Sequence, residues 1–403
     1  MQYLVGGAST QSRARRPVPD GWEVAVVSRS AVGETWDILT PTGQRLFNVD
    51  VTWVFDQGGP VLGYTSRKNP WTTEIRQAEL AARRDSLYGP GGIRTKLEVD
   101  AAALLCETVA PFLVDVPLQM RWFANGSDAC DAAVRVSRAI TGRVHFASTG
   151  YHGSSVLFAA PPQNAGVPLP VTLPRTDVPF GDSNALAHAF ARHPLACYVV
   201  EVPSDDEDAQ SFLQYARKLC DRNGAVLVLD EVVTGFRLDI GGAAQYYAVP
   251  PDLACYGKAL SNGRGIAALV GNYEILGTLG TSAFYSNTYN GDPYNCSHVV
   301  GTLKTLLNQG EDIYTRLYDT GHHLKAELNR EGLRCRGQVT RTYLDLHPGV
   351  RATILTKAVE LGVLVDRPNY ATAAHTQANV KRTVEILAEA RYRTSTEGVT
   401  VSE

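Results

Sequence analysis

The chain has 403 residues, 44% of them hydrophobic and 20% charged, with 36 glycines; this is the composition of an ordinary globular protein and excludes the disordered and fibrous classes. Its formal net charge of −3 comes with no long basic run, the only basic cluster being Arg13, Arg15 and Arg16, which argues against nucleic-acid binding because phosphate neutralisation needs a concentrated basic surface. The seven cysteines form no CxxC pair, so neither a disulfide framework nor a zinc knuckle is indicated, no metal is expected, and a reducing cytoplasm fits.

The first ten residues, MQYLVGGAST, lack a basic segment followed by a long apolar one, and no stretch approaches the roughly 20 apolar residues that cross a bilayer. An unexported, soluble protein is expected. From Trp22 to Asp50, β-favouring residues alternate with turn signals such as PTG, which predicts a small lobe of short antiparallel strands. From about Leu97 the texture changes: LEVDAAALLCETVAPFL and DACDAAVRVSRAITG carry apolar residues at helical spacing with acidic or capping residues near their starts.

Two apolar runs, ACYVVEV and AVLVLDEVV, flank the amphipathic stretch QSFLQYARKLCDRNG. Continuous apolar strands alternating with helices predict a parallel sheet covered on both faces, with ligands at the carboxyl ends of its strands. From about Gly310 the pattern returns to smaller pieces and closes on the helix VKRTVEILAEARYR. The expected organisation is an N-terminal segment of a small lobe over residues 1–55, a large domain over 56–309 and a C-terminal small domain over 310–403.

Asp230 ends a predicted buried strand in VLVLDEVVTGFR. A carboxylate there needs a cation or a strong donor; a protonated pyridine nitrogen would serve, as would a helix end or an arginine. Lys258 stands among small residues in ACYGKALSNGRG. It is either a surface lysine or a desolvated amine in a cleft, and its apolar flanks make exposure the less natural reading. In RWFANGSDACDAAV, Asn125, Gly126 and Ser127 open a helix, so Ser127 either caps it or joins the backbone N–H groups in an anion site suited to phosphate. Tyr151 and His152 lie in TGYHGSS; a turn tyrosine can cover a planar cofactor or pack into a core, and His152 reads as structural or as a site residue.

Together DEVVTGFR, AAQYYAVPPDLACYGKA, NGSDACDAAVRVSRAITGR followed by YHG, and SNTYNGDP resemble the class III aminotransferases, and within them the glutamate-1-semialdehyde aminomutase branch. The resemblance runs from GGASTQSRARR to TAAHTQANVKRTVEIL. It implies a fold-type I pyridoxal-phosphate-dependent transferase: an α/β large domain with a mostly parallel central sheet, plus a small α+β domain from both termini. It implies pyridoxal 5'-phosphate as cofactor, cycling through the pyridoxamine form, with Lys258 as the Schiff-base lysine and Asp230 on the ring nitrogen. Gly126 and Ser127 then match the phosphate turn, Tyr151 the stacked aromatic with His152 beside it, and Val232 the aliphatic contact on the other ring face. Thr288 matches a threonine reaching the phosphate of the neighbouring subunit, which implies a homodimer with shared sites. Arg13 matches an arginine that holds a substrate carboxylate.

The chain departs from the family on the substrate side. YTSRKNP replaces a histidine-rich turn, Arg367 stands at or beside an expected acidic position, and PSDDED shortens the loop after the strand ending at Val202. The expected activity is transfer of an amino group between an amino donor and an aldehyde or keto acceptor. An intramolecular aminomutase, a decarboxylase or other α-carbon enzyme, and a non-catalytic relative of the same fold are the alternatives.

Overall fold

A computed structural model of the chain describes residues 23–29, 34–39, 45–51, 53–55, 61–67, 69–85, 94–160, 164–168, 174–202, 208–365 and 369–396. It divides into two compact units: Met1–Gln57 with Leu62–Pro70 and Thr315–Glu403, and Gly58–Val61 with Trp71–Tyr314. In the first unit β1 (Glu23–Arg29), β2 (Glu34–Leu39) and β3 (Arg45–Val51) form an antiparallel sheet, in line with the alternation and turn signals of that stretch. β4 (Trp53–Phe55) follows.

The larger unit is built on a seven-stranded sheet. Its strands are β5 (Leu118–Phe123), β6 (His145–Thr149), β7 (Arg175–Asp177), β8 (Leu195–Val200), β9 (Val226–Glu231), β10 (Leu253–Tyr256) and β11 (Ala267–Asn272), in the spatial order β5-β11-β10-β9-β8-β6-β7. β11 alone runs against its neighbours; every other adjacent pair is parallel. Both faces are covered. Tyr198, Val200, Leu227 and Leu229 enter one buried cluster with helix Ala209–Asn223, whereas Cys197, Val199, Val226 and Val228 enter another with helix Gly126–Thr141. Strand side chains alternate between faces, so a sheet sandwiched between helices favours apolar residues on both, and the two runs are apolar through Val200 and through Leu229 for that reason. Each fully buried Val or Leu contributes roughly 1.5–3 kcal/mol.

The helix Pro293–Arg330 carries a non-helical Gln309, and its residues from Thr315 onward belong to the smaller unit. That unit continues with β12 (Cys335–Arg336), β13 (Arg341–Leu344), helix Pro348–Glu360, β14 (Val363–Val365), β15 (Asn369–Tyr370) and helix Gln377–Thr396. β14 pairs in parallel with β4, so the two ends of the chain share this unit. Leu328, Ile354, Val380 and Leu387 lie in its core. Among the described residues no helix is long and apolar enough to cross a membrane.

Candidate active site

β5, β6, β8, β9 and β10 point the same way, so their carboxyl ends share one edge, where open α/β sheets bind ligands. Asp230 stands at the end of β9, in register with Cys255 of β10, three positions before Lys258. Gly126 and Ser127 follow β5, Tyr151 and His152 follow β6, and Glu201 follows β8. Residues spread over more than 130 positions are thus brought to one rim by register alone.

Asp230 and Glu231 are adjacent on a strand and therefore face opposite sides of the sheet. Glu231 is structural: it accepts hydrogen bonds from the backbone N–H groups of Ala243 (2.9 Å) and Ala244 (2.8 Å) and from the Thr234 hydroxyl. Burial pushes its carboxyl up to about 7, against the pull of those donors. Asp230 is 4% exposed. Its Oδ2 lies 2.7 Å from His152 Nδ1, and its Oδ1 accepts from the Val232 backbone N–H at 3.1 Å.

Among the described residues the cation beside Asp230 is therefore a histidine, and neither a helix end nor an arginine takes that place. Burial opposes a charge on His152, but the hydrogen bond to Asp230 and the neighbouring Cys130 outweigh it and raise its pKa to about 10. Its Nε2 is buried and meets no hydrogen-bond partner among the described residues. Cys130, His152 and Asp230 each offer a potential ligand atom, all within 4.8 Å of one another. His152 Nδ1 and Asp230 Oδ2 bond each other directly.

The helix Gly126–Thr141 is capped by Asn125, whose side-chain oxygen accepts from Asp128 N at 2.9 Å. Ser127 is thereby not the cap. Its Oγ accepts from Ser154 N at 3.1 Å, and among the described residues the hydroxyl hydrogen is available to donate to an anion. Gly126 sits so close to Val232 that a Cβ would stand 2.9 Å from Cγ2, which only a glycine tolerates without displacing a stiff β-branched side chain. Val232 is half-buried and also borders Gly257, whose Cβ would stand 3.3 Å from Val232 Cγ1. It thus lies between the helix start and the residue before Lys258.

Lys258 has φ +41°, a left-handed conformation unusual for a residue with a Cβ and a mark of functional sites. Gly257 and Ala259–Asn262 are buried while Lys258 itself is exposed. This corrects the expectation of a desolvated amine: the apolar neighbours pack into the core, but the turn after β10 leaves the lysine side chain accessible. Tyr151 is 73% exposed, so it is not a core tyrosine. Thr288 is exposed in the turn Thr288–Asn290, near exposed Phe284 and Tyr289. Arg13 and Arg367 lie outside the described residues.

Sequence reasoning missed Glu201 and Cys130. Glu201 is 5% exposed and accepts from Tyr151 N at 3.0 Å; a charged residue continuing the apolar run ACYVV was the available signal. Cys130 reads as a small apolar residue on a helix face, and nothing local marks its place beside His152. A cavity of about 770 Å³ in the smaller unit, lined in part by His323, Lys381 and four glutamates, shares no residue with this rim, and its carboxylates suit an anionic ligand poorly.

Residues 206–372 match the family model Aminotransferase class-III. The chain is 29% identical over 340 residues to glutamate-1-semialdehyde 2,1-aminomutase 1 of Lachnoclostridium phytofermentans, covering 78% of this chain and 76% of that protein. Its identity to glutamate-1-semialdehyde 2,1-aminomutase of Archaeoglobus fulgidus is 27%, over 96% of both chains. A solved transaminase with PLP bound superposes with TM-score 0.79 at 21% identity, covering 98% of this chain and 96% of the other, a likeness that identifies the fold. Residues 206–372, which hold the strand-end aspartate and the lysine turn, thus carry a class-III aminotransferase domain.

Proposed function

We propose that this chain moves an amino group between an amino donor and an aldehyde or keto acceptor, using pyridoxal phosphate held at the carboxyl rim of the central sheet by Lys258, Asp230 and the Gly126–Ser127 turn. The observation that carries this reading is the convergence on one rim of a buried carboxylate, an accessible lysine in a strained turn and a helix start with an available hydroxyl donor. These residues fit the cofactor. The buried Asp230 carboxylate suits a protonated ring nitrogen, and the N–H groups at Gly126 and Ser127 suit the phosphate.

When bound, the cofactor supplies an electron sink for cleavage at the carbon bearing the amino group. The protein supplies position and charge. Asp230 would hold the protonated ring nitrogen, and the His152 bond orients the Asp230 carboxyl. Ser127 would donate to the phosphate, and Val232 and Tyr151 would hold the ring. Lys258 Nζ would hold the cofactor, and the same amine would take and return the proton at the substrate carbon. Its exposed side chain is accessible enough for both tasks.

The working form is a homodimer in which Thr288 reaches the partner's phosphate; exposure of Phe284, Thr288 and Tyr289 on one segment supports this. A reducing, cytoplasmic setting is supported by seven free cysteines, six of them buried. Arg13 is proposed to hold a substrate carboxylate.

The test is a cofactor titration followed by visible absorbance and amino-transfer assays. The wild type should gain a visible band that Lys258→Ala lacks, and Lys258→Ala should retain some cofactor noncovalently without turnover. No band in the wild type, or the same band in Lys258→Ala, overturns the reading. Because the compared relatives are named aminomutases, glutamate 1-semialdehyde should be supplied to the pyridoxamine form with no acceptor. Catalytic formation of 5-aminolevulinate under those conditions would replace amino transfer between two substrates with an intramolecular reaction.

A further inference from the structure

The turn after β6 is tied to the rim at three points. His152 bonds Asp230, Ser154 N donates to Ser127 Oγ, and Tyr151 N donates to Glu201 Oε2 at 3.0 Å. The first two ties belong to groups already given a role. The third comes from a residue with no assigned role.

Glu201 is held firmly. Its own N–H donates to Thr149 O at 2.9 Å, which extends the β6–β8 pairing by one step beyond the strands. Its side chain then folds against the same neighbour. Gly150 has φ +101°, and a Cβ there would stand 2.7 Å from Glu201 Cβ and 3.1 Å from Oε2. The chain can cross over this carboxylate only because residue 150 is a glycine. Glu201 is 5% exposed and Tyr151 is 73% exposed, so a buried acceptor holds the backbone N–H of a residue whose ring is accessible.

We infer that Glu201 is a positioning residue that sets the Tyr151 ring over the cofactor by accepting the Tyr151 backbone N–H. This rests on the proposed cofactor site. A backbone amide held by a carboxylate fixes the turn more firmly than a neutral acceptor would, and an aromatic ring on a fixed turn needs no reordering when a planar ligand arrives. Two features separate this role from simple core packing. The carboxylate bonds the very residue whose side chain is exposed, and the contacting backbone is shaped around it by Gly150.

The experiment uses full-length protein reconstituted with pyridoxal phosphate, reading its dissociation constant and the induced visible circular dichroism of the bound cofactor. Glu201→Ala should weaken cofactor binding about tenfold, the typical worth of a charge-assisted hydrogen bond, and reduce the dichroic band. Glu201→Gln keeps an acceptor oxygen without the charge and should lose only about threefold. In a Tyr151→Ala background Glu201→Ala should have no further effect, because the two residues act as one unit. Should Glu201→Ala not fold, Glu201→Asp, one methylene shorter, retains the charge but withdraws it from Tyr151 N and should show the same losses.

An unchanged dissociation constant and dichroic band in Glu201→Ala would overturn the inference, as would an equal loss in the Tyr151→Ala background. A wild type that binds no pyridoxal phosphate would instead overturn the functional reading beneath it.

Discussion

His152 offers a test whose size follows from the geometry. It is 3% exposed, and its Nδ1 lies 2.7 Å from Asp230 Oδ2. In the folded protein it keeps its proton to about pH 10, against 6.5 for an ordinary histidine. Between those values unfolding releases a proton, so stability falls as pH rises. The contribution of the pair is complete below about pH 6.5 and is lost as pH passes through 10.

A tenfold difference in proton affinity corresponds to roughly 1.4 kcal/mol. The whole window therefore amounts to at most about 5 kcal/mol, which agrees with the roughly 3–5 kcal/mol cost of breaking a buried pair. His152→Asn can still donate to Asp230 but cannot titrate. Urea unfolding of wild type and His152→Asn, without added cofactor and at steps from pH 6.5 to 10, should give a wild-type advantage of about 3 kcal/mol that shrinks steadily toward the alkaline end. A constant advantage across the window would refute the claim that His152 is charged in the folded state.

Gly126→Ala should destabilise by about 1–3 kcal/mol through overpacking against Val232, and adding Val232→Ala should restore much of that loss; thermal melts that sum additively would contradict the contact. Gly301→Ala would place a Cβ 2.4 Å from Ile75 Cα. Backbone cannot yield there as a side chain can, so melting should reveal a loss of about 3 kcal/mol or more. Co-expressing Lys258→Ala with Thr288→Ala should rebuild one intact site per mixed dimer, with cofactor affinity at that site equal to wild type; if Thr288 serves its own subunit, every remaining lysine site keeps the Thr288→Ala defect.

The architecture was legible wherever local chemistry and tertiary environment agree. ACYVV and AVLVLD could only be strands buried on both faces. Asn125, Gly126 and Ser127 are readable as the opening of a helix. The motifs NGSD, YHG, DEVVTGFR and GKA, which carry the family resemblance, each stand where a strand of the central sheet ends, and strand ends are marked by where the apolar run stops.

What the sequence could not decide was partnership. Asp230 called for a cation, and only strand register showed that the cation is His152, 78 positions away. Ser127 read equally as cap or anion donor until Asn125 was seen to do the capping. The apolar flanks of Lys258 suggested burial, yet they pack beneath a turn that leaves the side chain open. Glu201 carried no motif at all. Local sequence determines which residues must be buried and how the chain is cut into strands and helices; the pairing of charges across that rim depends on which strand ends lie side by side, and only the strand order β10-β9-β8-β6 decides that.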